Sequence, residues 1–333
     1  MVFISFLTMK ETREIAKHIP VLMDEVLDGL DLGSGKSVVD ATLGGGGHTR
    51  AILSGIAPTG KLLSLDQDAR AIQAFLDRAS EEVLTAKALQ DKRLLIRKAN
   101  FSEIDEVVSE EEFGPVDAIM ADLGYSSDQI EDGTRGLSFQ NDGPLDMRLD
   151  HESVLTAEDI VMTWSLEELT KVFREYGEEE YSYQLAKRIV ETRTSHVIDT
   201  TRKLAELIEE ATPPAKRRLE KIHPATKVFQ ALRIAVNQEY ERLEAFLAGS
   251  LKVLKPGGRL AVIAFHSGED SLVKKFFLAQ AKGCVCPREF PICICGLTPT
   301  IRIITKKVIT PTDEEVAMNP RARSAKLRIA EKI

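Results

Sequence analysis

Val38-Val39-Asp40-Ala41-Thr42-Leu43-Gly44-Gly45-Gly46-Gly47-His48-Thr49 is the stretch from which the fold is read. A short apolar run ends in an acid and empties into four consecutive glycines. The segment Thr49-Arg50-Ala51-Ile52-Leu53 then suits a helix. Consecutive glycines cost backbone entropy, so a chain keeps them where its backbone must approach something closely. A second strand, Lys61-Leu62-Leu63-Ser64-Leu65, ends in Asp66. An acid at that distance from a glycine loop is placed to hydrogen-bond the ribose hydroxyls of a nucleoside cofactor.

The loop departs from a dinucleotide fingerprint. Thr49 and Arg50 stand where G-x-G-x-x-G needs its third glycine. Asp40, at the end of the first strand, would repel a pyrophosphate but suits a cationic amine. S-adenosylmethionine carries a nucleoside, an ammonium and a sulfonium, and no phosphate. Charge therefore favours this methyl donor over a nicotinamide cofactor.

The strand-helix alternation extends outward from this core. Strands are expected at Ser37 to Thr42, Lys61 to Leu65, Leu94 to Ile96, Val116 to Asp122 and Arg259 to Phe265, with helix from about Ala69 to Gln90. Repeated units of this kind make a parallel sheet covered on both faces, with ligands at the carboxyl ends of its strands. Asp40, Asp66 and Asp122 all end strands there, and Asn100 and Phe101 follow the third strand. Ile301 to Thr305 and Ala325 to Ala330 alternate like an antiparallel hairpin, a plan that suits a methyltransferase sheet better than a nicotinamide fold.

Between these halves the pattern changes. Arg135 to Asp150 is a polar loop, and Thr156 to about Leu247 is helical in period. Thr156-Ala157-Glu158-Asp159 and Ser165-Leu166-Glu167-Glu168 resemble capping boxes. Val228, Leu232, Ala235, Val236, Tyr240, Leu243 and Leu247 form one apolar face. The expected organisation is a discontinuous α/β domain, 18–134 and 227–333, holding a helical substrate-recognition insertion at 135–226. Residues 1–17 form an N-terminal extension, read as a tail or a mis-set start with Met9 as the true one, since no basic leader or cleavage site accompanies it.

The bulk numbers narrow the function. The chain has 333 residues, 43% hydrophobic and 29% charged, with a formal net charge of −8. That balance argues against a general nucleic-acid coat protein but leaves room for a local basic face. No apolar run approaches a membrane span, so no membrane partner is expected and the cytoplasm is the expected compartment. Cys284, Cys286, Cys293 and Cys295 lie close together as C-x-C-P-x5-C-x-C-G. Their C-x-C spacing is tight for two ligands of one tetrahedron, so no metal is assigned from sequence.

Several longer motifs match one family. They are His18-Ile19-Pro20-Val21-Leu22 with Glu25, the glycine loop with His48, and Asp122-Leu123-Gly124-Tyr125-Ser126-Ser127-Asp128-Gln129. With them come Arg135-Gly136-Leu137-Ser138-Phe139, Gly143-Pro144-Leu145-Asp146-Met147-Arg148, Phe265-His266-Ser267 with Glu269-Asp270, and the run from Asn319 to Arg328. Together they resemble the ribosomal RNA small subunit methyltransferase H family, from about position 18 to the C-terminus. The resemblance implies an α/β fold: a Rossmann-like class I S-adenosylmethionine-dependent methyltransferase. Its sheet would be seven-stranded, mostly parallel and ending in an antiparallel hairpin, with an inserted helical domain. It implies methyl transfer from S-adenosylmethionine to the exocyclic N4 of a cytidine in the decoding region of 16S ribosomal RNA. The acidic net charge favours an assembled small-subunit particle as the partner.

The resemblance also implies site residues. Gly46, Gly47 and His48 would line the donor's amino-acid end, Asp66 would hold its ribose, and Phe101 would pack beside adenine. Asp122 and Gln129 would close the site near the reactive methyl, with Asp122 the catalytic residue. The loop Asp122-Leu123-Gly124-Tyr125 lacks both prolines of the (Asp/Asn/Ser)-Pro-Pro-aromatic tetrapeptide of DNA amino-methyltransferases. Tyr125 and Phe139 are candidates to stack on a flipped cytidine. Lys216, Arg217 and Arg218, after the Pro213-Pro214 break, and Arg321, Arg323, Lys326 and Arg328 are candidate phosphate contacts. His266 and Ser267 support the site rather than form a hydrolase pair, because no G-x-S-x-G elbow is present. A non-catalytic ribosome-assembly factor that binds the donor, and a nicotinamide-dependent oxidoreductase, are the alternatives.

Overall fold

A computed structural model describes residues 20–333, apart from 126–128, 131, 220–221, 285, 288–289 and 293. The N-terminal extension, His18, Ile19, Ser126, Ser127, Asp128 and Cys293 thus lie outside the described residues. Seven strands form one sheet: β1 Ser37–Asp40, β2 Lys61–Asp66, β3 Leu94–Lys98, β4 Val116–Asp122, β5 Leu254–Ala264, β6 Ile301–Ile303 and β7 Lys326–Lys332. Their order is β3-β2-β1-β4-β5-β7-β6. The first five pair in parallel, and β7 runs antiparallel between β5 and β6. The expected sheet, with its antiparallel end, is present.

The strands follow from their burial. β1 carries Val38 and Val39 fully buried, and β4 buries Ala118, Ile119, Met120 and Ala121 without alternation. Central parallel strands read this way because helices cover both faces. One face packs Val39, Leu63, Ile119 and Val262 against the helices Ile104–Glu110, Glu239–Val253 and Ser267–Lys282. The other packs Val38, Leu62, Met120 and Ile263 against Met23–Leu30, Gly47–Gly55, Ala69–Ala79 and Val83–Gln90. The helix expected over 69–90 is therefore two helices, broken at Ser80 to Glu82. β5 begins earlier than expected, at Leu254. The turn Lys255 to Gly258 is a bulge within it, where the register jumps from Val116–Leu254 to Ala118–Arg259.

The helical region has its own core. Leu145, Ile160, Phe173, Ile189, Leu204 and Ile208 pack with Val228, Phe229, Leu232 and Val236. Both expected capping boxes form: Thr156 with Asp159, and Ser165 with Glu168. The apolar face from Val228 to Leu247 is not continuous. The chain turns at Gln238, whose φ is 50°, between the helices Ala225–Asn237 and Glu239–Val253. Val228, Leu232 and Val236 enter the helical core, whereas Leu243 and Leu247 enter the sheet core. The Asn237 carboxamide secures this junction by accepting from Leu149 N at 2.9 Å and donating to Met147 O at 2.9 Å.

Candidate active site

The carboxyl ends of the parallel strands open into a cavity of about 420 Å³. Gly46, Gly47, His48, Asp66, Phe101, Asp122 and Gln129 all line it. Topology brings them together: β1 delivers the glycine loop, β2 ends in Asp66, the turn after β3 begins at Phe101, and β4 ends in Asp122.

The glycines are needed by the protein itself. Gly46 has φ 75°, and a Cβ there would stand 2.2 Å from Phe75 Cδ2. A Cβ on Gly47 would stand 2.2 Å from Pro20 Cγ. The loop is drawn flat against its neighbours and so presents backbone to the cavity.

Asp40 does not line the cavity, so the sequence reading that placed it against a cationic amine is corrected. It is fully buried, accepting from Thr49 Oγ1 at 2.6 Å and Thr42 N at 3.2 Å. Burial pushes its carboxyl up to about 7, against the pull of those two bonds. Its work is to tie the end of β1 to the first turn of the helix Gly47–Gly55.

Asp66 reaches the cavity while accepting from Gly44 N at 2.9 Å and Asp68 N at 2.8 Å. An ionised carboxylate has about four acceptor sites, so capacity remains for ribose hydroxyls. Asp66→Ala is expected to weaken donor binding by about ten- to a hundredfold, from a lost charge-assisted hydrogen bond of about 1.5–3 kcal/mol. It also strands the Gly44 and Asp68 amides, so a lowered melting temperature accompanies the loss. Calorimetric titration with the donor checks it, and unchanged affinity would put the ribose elsewhere.

Asp68 and Arg135 form a support that the sequence reading missed. Arg135 is buried, and its Nη2 donates to Asp68 Oδ2 at 2.6 Å. Gln129 Nε2 donates to the same oxygen at 3.0 Å. Burial acts to raise the Asp68 carboxyl, but the bonds from Gln129, Arg70 N and Arg135 hold it below the usual range. Gln129 is thereby fixed on the β2 side of the cavity. The Arg135-Gly136-Leu137 motif was the available signal, without its partner.

Asp122 has the most unusual environment. Its backbone N donates to Thr42 Oγ1 at 2.7 Å. His48 Nε2 meets the Val21 carbonyl at 3.0 Å, so that nitrogen carries the proton and Nδ1 faces Asp122 Oδ2 at 3.6 Å. Asp122 Oδ1 is buried and has no hydrogen-bond partner among the described residues. Burial, then Asp40 and Glu269, push the carboxyl up to about 8. A buried carboxyl oxygen with spare acceptor capacity, beside a cavity, can take a hydrogen bond from a ligand.

The wall beyond Asp122 is a charge network. The Tyr125 hydroxyl donates to Glu239, and the Arg233 guanidinium lies 4.1 Å from the Tyr125 ring centroid. Arg233 also bridges Glu239 at 3.0 and 3.2 Å. One face of Tyr125 is thus covered, and the other elements of its wall are Phe265, Glu269 and Leu243. Phe139 is not in the cavity. It packs edge-on against Phe229 at 5.0 Å in the helical core, which removes it as a stacking candidate. His266 and Ser267 also lie outside the lining. His266 Nδ1 accepts from Glu269 N at 3.4 Å and Glu269 Oε2 accepts from Phe265 N at 2.9 Å, which starts the helix Ser267–Lys282.

Comparison with known proteins shows the family. The profile described as the MraW methylase family matches residues 15–333. The chain belongs to the MraW methylase family. A protein of Syntrophotalea carbinolica called ribosomal RNA small subunit methyltransferase H is 46% identical over 317 residues, covering 95% of this chain and 98% of that protein. One of Thermomicrobium roseum with the same name is 49% identical over 319 residues, covering 95% and 94%. As a family member, the chain is an S-adenosylmethionine-dependent methyltransferase with a Rossmann-like sheet. The lining includes the Asp66 carboxylate, the Phe101 ring and the glycine-loop backbone, groups able to hold a nucleoside donor. Family membership sets the nicotinamide cofactor aside.

The candidate RNA contacts separate into groups. Lys216 is buried and paired with Glu179, with its Nζ 4.6 Å from the Tyr181 ring centroid, so the expected exposed triplet is reduced to Arg217 and Arg218. Arg328 is held by Asp270 at 2.6 and 3.1 Å, and Lys326 lies 4.0 Å from the same acid. Arg323 is exposed, and Arg321 lines the cavity. Among the described residues no helix is long and apolar enough to cross a membrane.

Proposed function

We propose that this protein transfers a methyl group from S-adenosylmethionine to the exocyclic N4 of a cytidine in the decoding region of 16S ribosomal RNA, acting in the cytoplasm on a small-subunit particle. The observation that carries the reading is Asp122 Oδ1, a buried acceptor without a partner among the described residues, at the strand end where the cavity closes. The names of relatives 46% and 49% identical support ribosomal RNA as substrate.

The donor supplies an electrophilic methyl on a cationic sulfur. Cytosine N4 is a weak nucleophile because its lone pair is delocalised into the ring. Asp122 Oδ1 accepting an N4 hydrogen draws that lone pair out of conjugation, and the Gly124 carbonyl, also at the cavity, can take the second hydrogen. The N4 proton becomes acidic only as the bond to carbon forms and the methyl–sulfur bond breaks; it then passes to the ionised Asp122 carboxylate, so no stronger base is needed beforehand. Holding N4 in line supplies several kcal/mol more. Tyr125, with one face already against Arg233, is the aromatic available to the flipped base. Gly46, Gly47 and His48 hold the donor's amino-acid end and Phe101 its adenine. Arg217, Arg218, Arg321 and Arg323 are the proposed phosphate contacts.

Incubation with labelled donor and undermethylated small subunits, followed by mapping of the modified nucleotide, tests the proposal. Label on N4 of one decoding-region cytidine is expected. Donor binding without transfer would instead favour an assembly factor, and label on another base would refute the N4 assignment.

A further inference from the structure

Three cysteines, none of them at the donor cavity, converge in the segment that joins the helix Ser267–Lys282 to β6. The Sγ atoms of Cys284, Cys286 and Cys295 all lie within 4.8 Å of one another. Those of Cys284 and Cys295 are 3.8 Å apart. Sulfurs joined in a disulfide stand about 2.05 Å apart. Two thiolates each about 2.3 Å from one zinc ion, at the tetrahedral angle, stand about 3.8 Å apart. The separation of this pair is that of two ligands on one ion.

Two further observations point the same way. The Ile294 amide donates to Cys286 Sγ at 3.4 Å. That bond ties the two sides of the segment together beside the clustered sulfurs. Among the described residues of the segment, the large apolar side chains Phe290, Ile292, Ile294 and Leu297 are all exposed, Ile292 and Ile294 at 74%. A stretch that buries so little apolar surface needs another source of order, and a bound metal is one. Gly283 and Gly296, both at φ 65°, turn the chain next to Cys284 and Cys295.

We propose that Cys284, Cys286 and Cys295 bind one zinc ion, which closes this segment. The C-x-C spacing weighs against a metal only while each pair is pictured as an extended strand with its side chains on alternate positions. Here Cys284 and Cys286 both turn toward Cys295. Cys293 lies outside the described residues, and the site is argued on the other three. Clustered soft thiolates select zinc over hard cations, and sulfurs this close suit a single ion.

The full chain, purified under reducing conditions without chelator, tests this by metal analysis and by cobalt(II) substitution. One zinc per chain is expected. Cobalt(II) in its place should give intense sulfur-to-metal charge-transfer absorption with visible bands of tetrahedral strength. Cys284→Ser, Cys286→Ser and Cys295→Ser should each abolish or sharply weaken that spectrum. Donor affinity, measured by calorimetry, should stay within about threefold, since none of these residues lines the cavity; this shows that each variant is folded. A reduced protein that holds no zinc and takes up no cobalt(II) overturns the proposal. So does a cobalt(II) spectrum unchanged by Cys286→Ser, or thiol titration showing these cysteines oxidised to disulfides in the protein as isolated.

Discussion

Asp122→Ala is expected to lower the single-turnover rate of methyl transfer about 10²- to 10³-fold at saturating donor, with RNA affinity changed by a few-fold at most. One positioned acceptor acting on a developing charge is worth roughly that factor. Saturating donor is required because Asp122 lines the donor cavity as well. The wild-type rate should also depend on pH. The Asp122 carboxyl is pushed up to about 8, so it is mostly protonated at neutral pH, and Oδ1 accepts best once the group ionises. The rate should climb with pH and level off above about 8, while Asp122→Asn gives a low, flat profile.

The same shift has a consequence for stability, with opposite sign to that of an ion-paired carboxylate. The folded protein keeps the Asp122 proton up to about pH 8, whereas the unfolded chain releases it near the ordinary value of 3.8. The folded state binds more protons throughout that window, so stability falls as pH rises through it. Asp122→Asn should therefore gain stability over the wild type between about pH 4 and pH 8, read from denaturant midpoints at each pH. A wild-type single-turnover rate in Asp122→Ala would remove the residue from the mechanism.

Lys216→Ala is expected to cost about 3–5 kcal/mol of stability, because it removes the ion-pair partner of the buried Glu179. The cation–π contact with Tyr181 is lost with it. Lys216→Met with Glu179→Leu removes both charges and should recover most of the loss. Arg217→Ala with Arg218→Ala should stay within about 0.5 kcal/mol of the wild type, as exposed substitutions usually do. That exposed pair is the better probe of RNA binding. Its removal should flatten the salt dependence of RNA affinity by up to about two phosphate contacts and leave donor affinity unchanged. If Lys216→Ala proves no more costly than the arginine pair, the buried ion pair is not a structural element. An unchanged salt slope would shift the phosphate contacts to Arg321 and Arg323.

The sequence by itself determined the parallel sheet, its antiparallel end and the convergence of the candidate site residues at the strand ends. These rest on short-range signals: apolar strand cores, a glycine loop, acids at strand ends and Ser/Thr caps. Residues delivered by the ends of neighbouring parallel strands must meet, so Asp66, Phe101 and Asp122 could be placed together without coordinates. Matters that depend on partners distant in sequence were decided only by the tertiary structure. Arg135 finds Asp68, Lys216 finds Glu179, and Asp40 turns inward to Thr49 although its strand-end position suggests the ligand side. The apolar face from Val228 to Leu247 shows the limit most clearly. Helical periodicity reports that a face is buried but not which core buries it. A single left-handed residue, Gln238, is enough to send its two halves into different ones.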